Sequence, residues 1–201
     1  DLLYFHLYDQ ITPPEESLAA VEDLVSRDLV RYFAGGNISV DGLERYAQAS
    51  PSVRTRVAAV QNSYDIINGE RNPEQRGVLA YCAQNRIAYV AWSPLLRGLL
   101  TDRYLALGKV GPGDRLFDEG TLEKDAQAAV MARIRGLADV AHAGGLELSQ
   151  LVLAYMLTLD GMGPVIPASS TVAQLESNAQ AGKIALSEEQ LAQVQAILLQ
   201  D

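Results

Sequence analysis

Positive charge is scarce in this 201-residue chain: 16 Lys and Arg stand against 25 Asp and Glu, for a formal net charge of -9. That balance repels phosphate backbones and anionic lipid surfaces, and no basic cluster rises above it, so nucleic acid and membranes are not expected partners. Cysteine is scarcer still. The single thiol, Cys82, cannot form an internal disulfide, so nothing points to an oxidising compartment; a buried structural thiol in a cytoplasmic protein is the expectation. Two histidines, His6 and His142, lie far apart and build no metal site with one cysteine. No cationic start precedes an apolar stretch, and the apolar runs are too short to span a bilayer. Also missing is any strand followed by a GxGxxG or GxxxxGK(S/T) turn, the best sign of an open nucleotide-binding sheet.

What is present fits one globular domain with a sizeable core: 48% of residues are hydrophobic and 20% charged. The chain opens on Asp1 without methionine, and Leu2 to Tyr8 read at once as a buried strand, so a segment before residue 1 is expected. Thr12-Pro13-Pro14-Glu15-Glu16 then supplies a cap, prolines and acids for a helix carrying Leu18, Val21, Leu24 and Val25. The rhythm repeats through strand Val30 to Gly35, helix Val40 to Gln48, strand Arg56 to Asn62, helix Pro73 to Arg86 and strand Ile87 to Ser93. A polar, glycine-rich stretch from Arg97 to Gly120 interrupts it, long enough to be a functional loop. Helices follow over Leu122 to His142 and Ser149 to Leu159, then strand Gly163 to Pro167 and a helix from Thr171 to Gln180. A last helix opens at Ser187-Glu188-Glu189-Gln190 with capping-box spacing. Strands alternating with amphipathic helices predict an α/β fold with a parallel sheet, wound open or closed as a barrel.

Five segments, in order, resemble the aldo-keto reductase superfamily. Asp1-Leu2-Leu3-Tyr4-Phe5-His6 is similar to its fourth barrel strand, and Val30 to Asn37 resembles the fifth, with the usual Ser-Asn ending reduced to Gly36-Asn37. Val60 to Tyr64 looks like the sixth, Trp92 to Thr101 the seventh with its cofactor loop, and Val165 to Ser170 with Gln174 to Asn178 the eighth. The resemblance implies a (β/α)8 TIM-barrel-like fold, here apparently partial, with about five strand–helix units plus a C-terminal helix. It also implies a cofactor loop over 95–121, of which 108–118 has the composition of a flap. Inward-facing Leu3, Phe5, Val60 and Val90 would then lose neighbours unless a copy of the chain or a partner completes the barrel.

The same resemblance implies an NAD(P)-dependent carbonyl reductase or alcohol dehydrogenase, using NADP or NAD and acting on a small carbonyl or alcohol. Of the family's Asp, Tyr, Lys and His tetrad only His6 falls in this sequence, as the catalytic group orienting the carbonyl oxygen; Tyr8 is the least implausible substitute for the acid. Asn37 and Gln61 match residues that grip the nicotinamide carboxamide, and Trp92 replaces an aromatic that stacks on the ring. Ser93, Leu95 and Gly98 resemble the pyrophosphate loop, with Arg97 and Arg103 supplying charge nearby. Ser169, Ser170, Gln174 and Asn178 match the adenosine end, where the helix opening at Thr171 offers an anion site. Ala168, Ser170 and Gln174 stand where many members place a cation for the 2′-phosphate of NADPH. The alternatives are a barrel-derived dehydratase, isomerase or ligand-binding protein, or a non-catalytic subunit.

Overall fold

A computed structural model describes residues 1–50 and 55–200. Five parallel strands form one sheet in the order β1 (Leu2–Phe5), β2 (Tyr32–Gly36), β3 (Val57–Ser63), β4 (Ala88–Trp92) and β5 (Met162–Ile166). Sequential strands are neighbours, which parallel pairing permits only if each crossover carries the chain back, and helices do so here. The chain falls into two compact units: 1–63 with 72–92 and 160–164, and 64–71 with 93–159 and 165–201.

In the first unit, helices α1 (Pro14–Ser26), α2 (Val40–Ala49) and α4 (Pro73–Asn85) carry the crossovers. Ser39 caps α2 through its side chain and Asn72 caps α4, where Pro73 occupies the first turn. Arg86, left-handed at φ 56°, ends α4 and turns the chain into β4. The sheet has two distinct faces. Leu3, Phe5, Phe33 and Val60 point one way: Phe33 is fully buried and packs edge-on against both Phe5 and Tyr46 of α2. Tyr4, Ala34, Ala59 and Val90 form a separate cluster on the other. The four residues expected to face one interior are therefore split, with Leu3, Phe5 and Val60 under the helices and Val90 opposite them.

In the second unit, α8 (Leu148–Met156) is apolar almost all round and buried along its length. It packs beside α7 (Ala128–Ala143), whose Ile134, Leu137, Ala138 and Ala141 make one apolar stripe, and α9 (Val172–Gln180). α10 (Glu188–Leu198) lies along α7. Short helices α3 (Ile66–Gly69), α5 (Arg115–Asp118) and α6 (Leu122–Asp125) complete it.

Several expected boundaries move. β1 ends at Phe5, not Tyr8, because Asp9 takes the N–H groups of Ile11 and Thr12 and the Thr12 hydroxyl into a turn. Thr12 is thereby used up, and Pro13 caps α1 without a side-chain bond. The helix expected over Leu122 to His142 breaks between α6 and α7. The loop from Arg97 to Gly120 is not structureless: it contains three 3-10 turns and α5.

Candidate functional site

The first unit gathers Asn37, Trp92, Gln61 and the backbone of His6. Asn37 follows β2 directly at φ 50°, a conformation that costs a non-glycine residue strain and so marks a position fixed by its surroundings. Its amide is used at both ends. Nδ2 donates to the His6 carbonyl at 3.0 Å, and Oδ1 accepts from Trp92 Nε1 at 3.2 Å. The register that pairs Gly36 with Gln61 and Gln61 with Val90 puts Gln61 on the face of Ala59 and Val90. There it bonds the phenol of Tyr4, whose ionisation is pushed up by burial and only partly restored by that bond. The small side chains of Ala34 and Ala59 leave room for this reach across the sheet.

Gly36 has a local reason. A Cβ there would meet the His6 carbonyl oxygen at 2.7 Å and that of Phe5 at 3.1 Å, so a serine would push the β1 end away. His6 itself stands just beyond β1, with its side chain exposed and its carbonyl in the network. Trp92 is 38% exposed and presents a flat aromatic surface. Tyr8 packs edge-on against Tyr46 of α2.

The second unit holds a cavity of about 610 Å³ whose lining includes Ser93, Leu95, Gly98, Ser169, Ser170, Gln174 and Asn178 but not Thr171. Its volume suits a cofactor fragment. The backbone through it is unusual: Ser93, Leu96, Arg97 and Gly98 all have positive φ. Several donors here are already bonded within the protein. The Gly98 N–H, in the stretch that resembles a pyrophosphate loop, donates to the Leu95 carbonyl at 2.8 Å to close the turn. At the opening of α9 the capping box engages Ser170 and Thr171: Gln174 Oε1 accepts from Ser170 N at 2.8 Å, Ser170 Oγ at 2.9 Å and Thr171 N at 3.3 Å. Asn178 donates to Ser169 Oγ at 3.0 Å.

The charges were hidden from sequence reasoning. Arg103, expected as free positive charge, forks onto Asp114 with bonds of 2.8 and 2.7 Å, and this holds the Asp114 carboxyl down at about 2. Arg97 bonds Glu119 at 3.0 Å and also Asp125. His142 Nε2 lies 2.7 Å from Asp102 Oδ1, a carboxylate that also accepts from Leu148 N and lines the cavity. Cys82 lies outside this cavity, buried, with its thiol pushed up to about 12 by desolvation.

A model of the aldo/keto reductase family matches residues 1–199. The chain belongs to that family. It is 27% identical to the L-glyceraldehyde 3-phosphate reductase of Escherichia coli O157:H7 over 96% of this chain and 57% of that protein. It is 29% identical to the NADP(+) aldo-keto reductase yakc of Schizosaccharomyces pombe over 94% of this chain and 54% of that protein. The chain thus spans little more than half the length of these curated relatives. A crystal structure of a thermostable aldo-keto reductase with the inhibitor epalrestat superposes with a TM-score of 0.72 at 25% identity, covering 98% of this chain and 59% of that one. The parallel α/β sheet therefore corresponds to that of a TIM-barrel-like enzyme. Among the described residues no helix is long and apolar enough to cross a membrane.

Proposed function

We propose that this chain binds a nicotinamide dinucleotide and serves carbonyl reduction or alcohol oxidation of the aldo-keto reductase type. The observation that carries the reading is the Asn37 amide, held in strained backbone between the His6 carbonyl and the Trp92 indole. Each amide keeps donor and acceptor capacity beyond these bonds, as a carboxamide ligand requires. Asn37 and Gln61 would hold that carboxamide, Trp92 would stack on the ring, and the exposed His6 side chain would orient a substrate oxygen. The second unit's cavity, with Ser93, Leu95, Gly98, Ser169, Ser170, Gln174 and Asn178, would take an adenosine diphosphate. When bound, the reduced nicotinamide supplies the hydride; the protein fixes geometry and excludes water.

Trp92 is the single tryptophan, so its fluorescence reports this cluster without interference. Titration with NADH or NADPH is expected to quench it and to sensitise nicotinamide emission, and Asn37→Ala is expected to weaken the titration. A chain whose fluorescence ignores both dinucleotides would remove the proposal. The sheet edges favour a second part of the reading: β1 and β5 end the sheet among the described residues, and residues 1–201 taken alone would pair there with a copy of themselves or a partner. Sedimentation velocity tests it, with a species heavier than the monomer as the expected outcome and a monodisperse monomer against it.

A further inference from the structure

The cavity of the second unit has walls of both charges, and its cations are already taken. Three arginines line it. Arg103 is forked onto Asp114, Arg97 is held by Glu119 and Asp125, and Arg115 bonds Glu119 at 2.7 Å. Two more acids in the wall, Asp102 and Glu147, have no lysine or arginine partner among the described residues; Glu147 is satisfied by the Ser177 hydroxyl at 2.6 Å. At the α9 opening, the donors of Ser170 and Thr171 are committed to Gln174.

We infer that this cavity, on the reading that it takes the adenosine diphosphate half of a dinucleotide, selects the form with a free 2′-hydroxyl, NAD(H), over the 2′-phosphorylated NADP(H). The diphosphate is common to both forms and does not discriminate. The difference is a phosphate monoester carrying about -1.5 to -2 charges near neutral pH. Holding it takes a cation or several unspent N–H donors. Turning Arg103 or Arg97 onto a phosphate leaves Asp114 or Asp125 without its arginine, and the Asp114 side chain is only 12% exposed; Arg115 shares Glu119 with Arg97. A ribose diol asks for neutral donors and acceptors instead, and Ser169, Gln174, Ser177 and Asn178 supply both. The chain's net charge of -9 adds a general repulsion of the more anionic ligand.

Calorimetric titration of the full chain with ADP and with 2′,5′-ADP reads this without turnover. ADP is expected to bind more tightly by roughly tenfold or more, the equivalent of one unmatched charged contact. Asp114→Asn frees Arg103 and is expected to recover most of that difference by strengthening 2′,5′-ADP more than ADP. Glu119→Gln, which frees Arg115 and loosens Arg97, repeats the test if Asp114→Asn does not fold. Equal or tighter binding of 2′,5′-ADP to the unmodified chain overturns the inference and leaves the dinucleotide reading intact. Failure of both nucleotides to bind removes the reading itself, and the inference with it. A preference for ADP that neither variant narrows overturns the ion-pair cause.

Discussion

The amide cluster of the first unit and the cavity of the second are built from opposite kinds of interaction. Asn37, Gln61, Tyr4, Trp92 and the His6 carbonyl are joined by neutral hydrogen bonds, whereas the cavity wall is joined by arginine–carboxylate pairs. Neutral bonds among groups that do not titrate near neutrality should ignore pH and salt. Ion pairs at a partly exposed wall should respond to both. The difference separates what fixes geometry in this protein from what sets the charge along the cavity wall.

The largest effect is expected where the neutral cluster meets its core. Phe33→Ala removes a fully buried ring that packs on Phe5 and Tyr46, and should cost about 3–5 kcal/mol in urea unfolding. A loss below about 1 kcal/mol would show that the aromatic stack is not what supports β1 and β2. Gly36→Ser is expected to cost about 1–3 kcal/mol, since its Cβ would lie 2.7 Å from the His6 carbonyl oxygen. It should also disturb the Asn37 bond, read as a shift of Trp92 emission; a neutral substitution would break the argument for close approach.

Acid sharpens the comparison from the other side. Asp114 has its folded value depressed to about 2, against about 3.9 for an ordinary aspartate. Its stabilising contribution is therefore complete above the ordinary value and is lost as the pH falls toward about 2. A carboxyl NMR titration should place the midpoint near the lower figure, returning to the ordinary range when Arg103 is replaced by Gln. Trp92 emission should stay constant over the part of that range where the chain remains folded. The smallest effect concerns Cys82, which should react with a thiol reagent only after unfolding, because burial pushes its ionisation up to about 12. Labelling of the native chain at the rate of a free thiol would contradict its placement.

The sequence made the alternation of strand and helix legible because periodicity and caps are local. The boxes at Thr171–Gln174 and Ser187–Gln190, the Pro73 start and the strands at Val57 and Ala88 can all be read within a few residues. The positions of Ser93, Leu95, Gly98, Ser169, Ser170, Gln174 and Asn178 around one cavity came only through resemblance. What stayed hidden depends on distant partners. Arg103 and Asp114 are 11 residues apart, and Arg97 and Glu119 are 22 apart, so nothing local tells a free arginine from a latched one. The left-handed turns at Asn37, Ser93, Leu96 and Arg97 use no glycine and leave no signal. Which face Leu3 and Phe5 occupy was also illegible, because both faces of a parallel sheet are apolar.

Among the described residues, three capping boxes share one residue type. Gln150, Gln174 and Gln190 occupy the third helical position of α8, α9 and α10, where a glutamate would serve equally well as acceptor. A glutamine has no proton to gain, so the Thr171 and Ser187 starts keep both reciprocal bonds in acid, and only at α8 does a carboxylate, Glu147, take part. Acidification should therefore release the ion-paired tethers of the segment over 97–125, that of Arg103 only as the pH falls toward about 2, while the starts of α9 and α10 keep their caps. Amide hydrogen exchange along an acid series would show protection falling over 97–125 while the first turns of α9 and α10 stay protected.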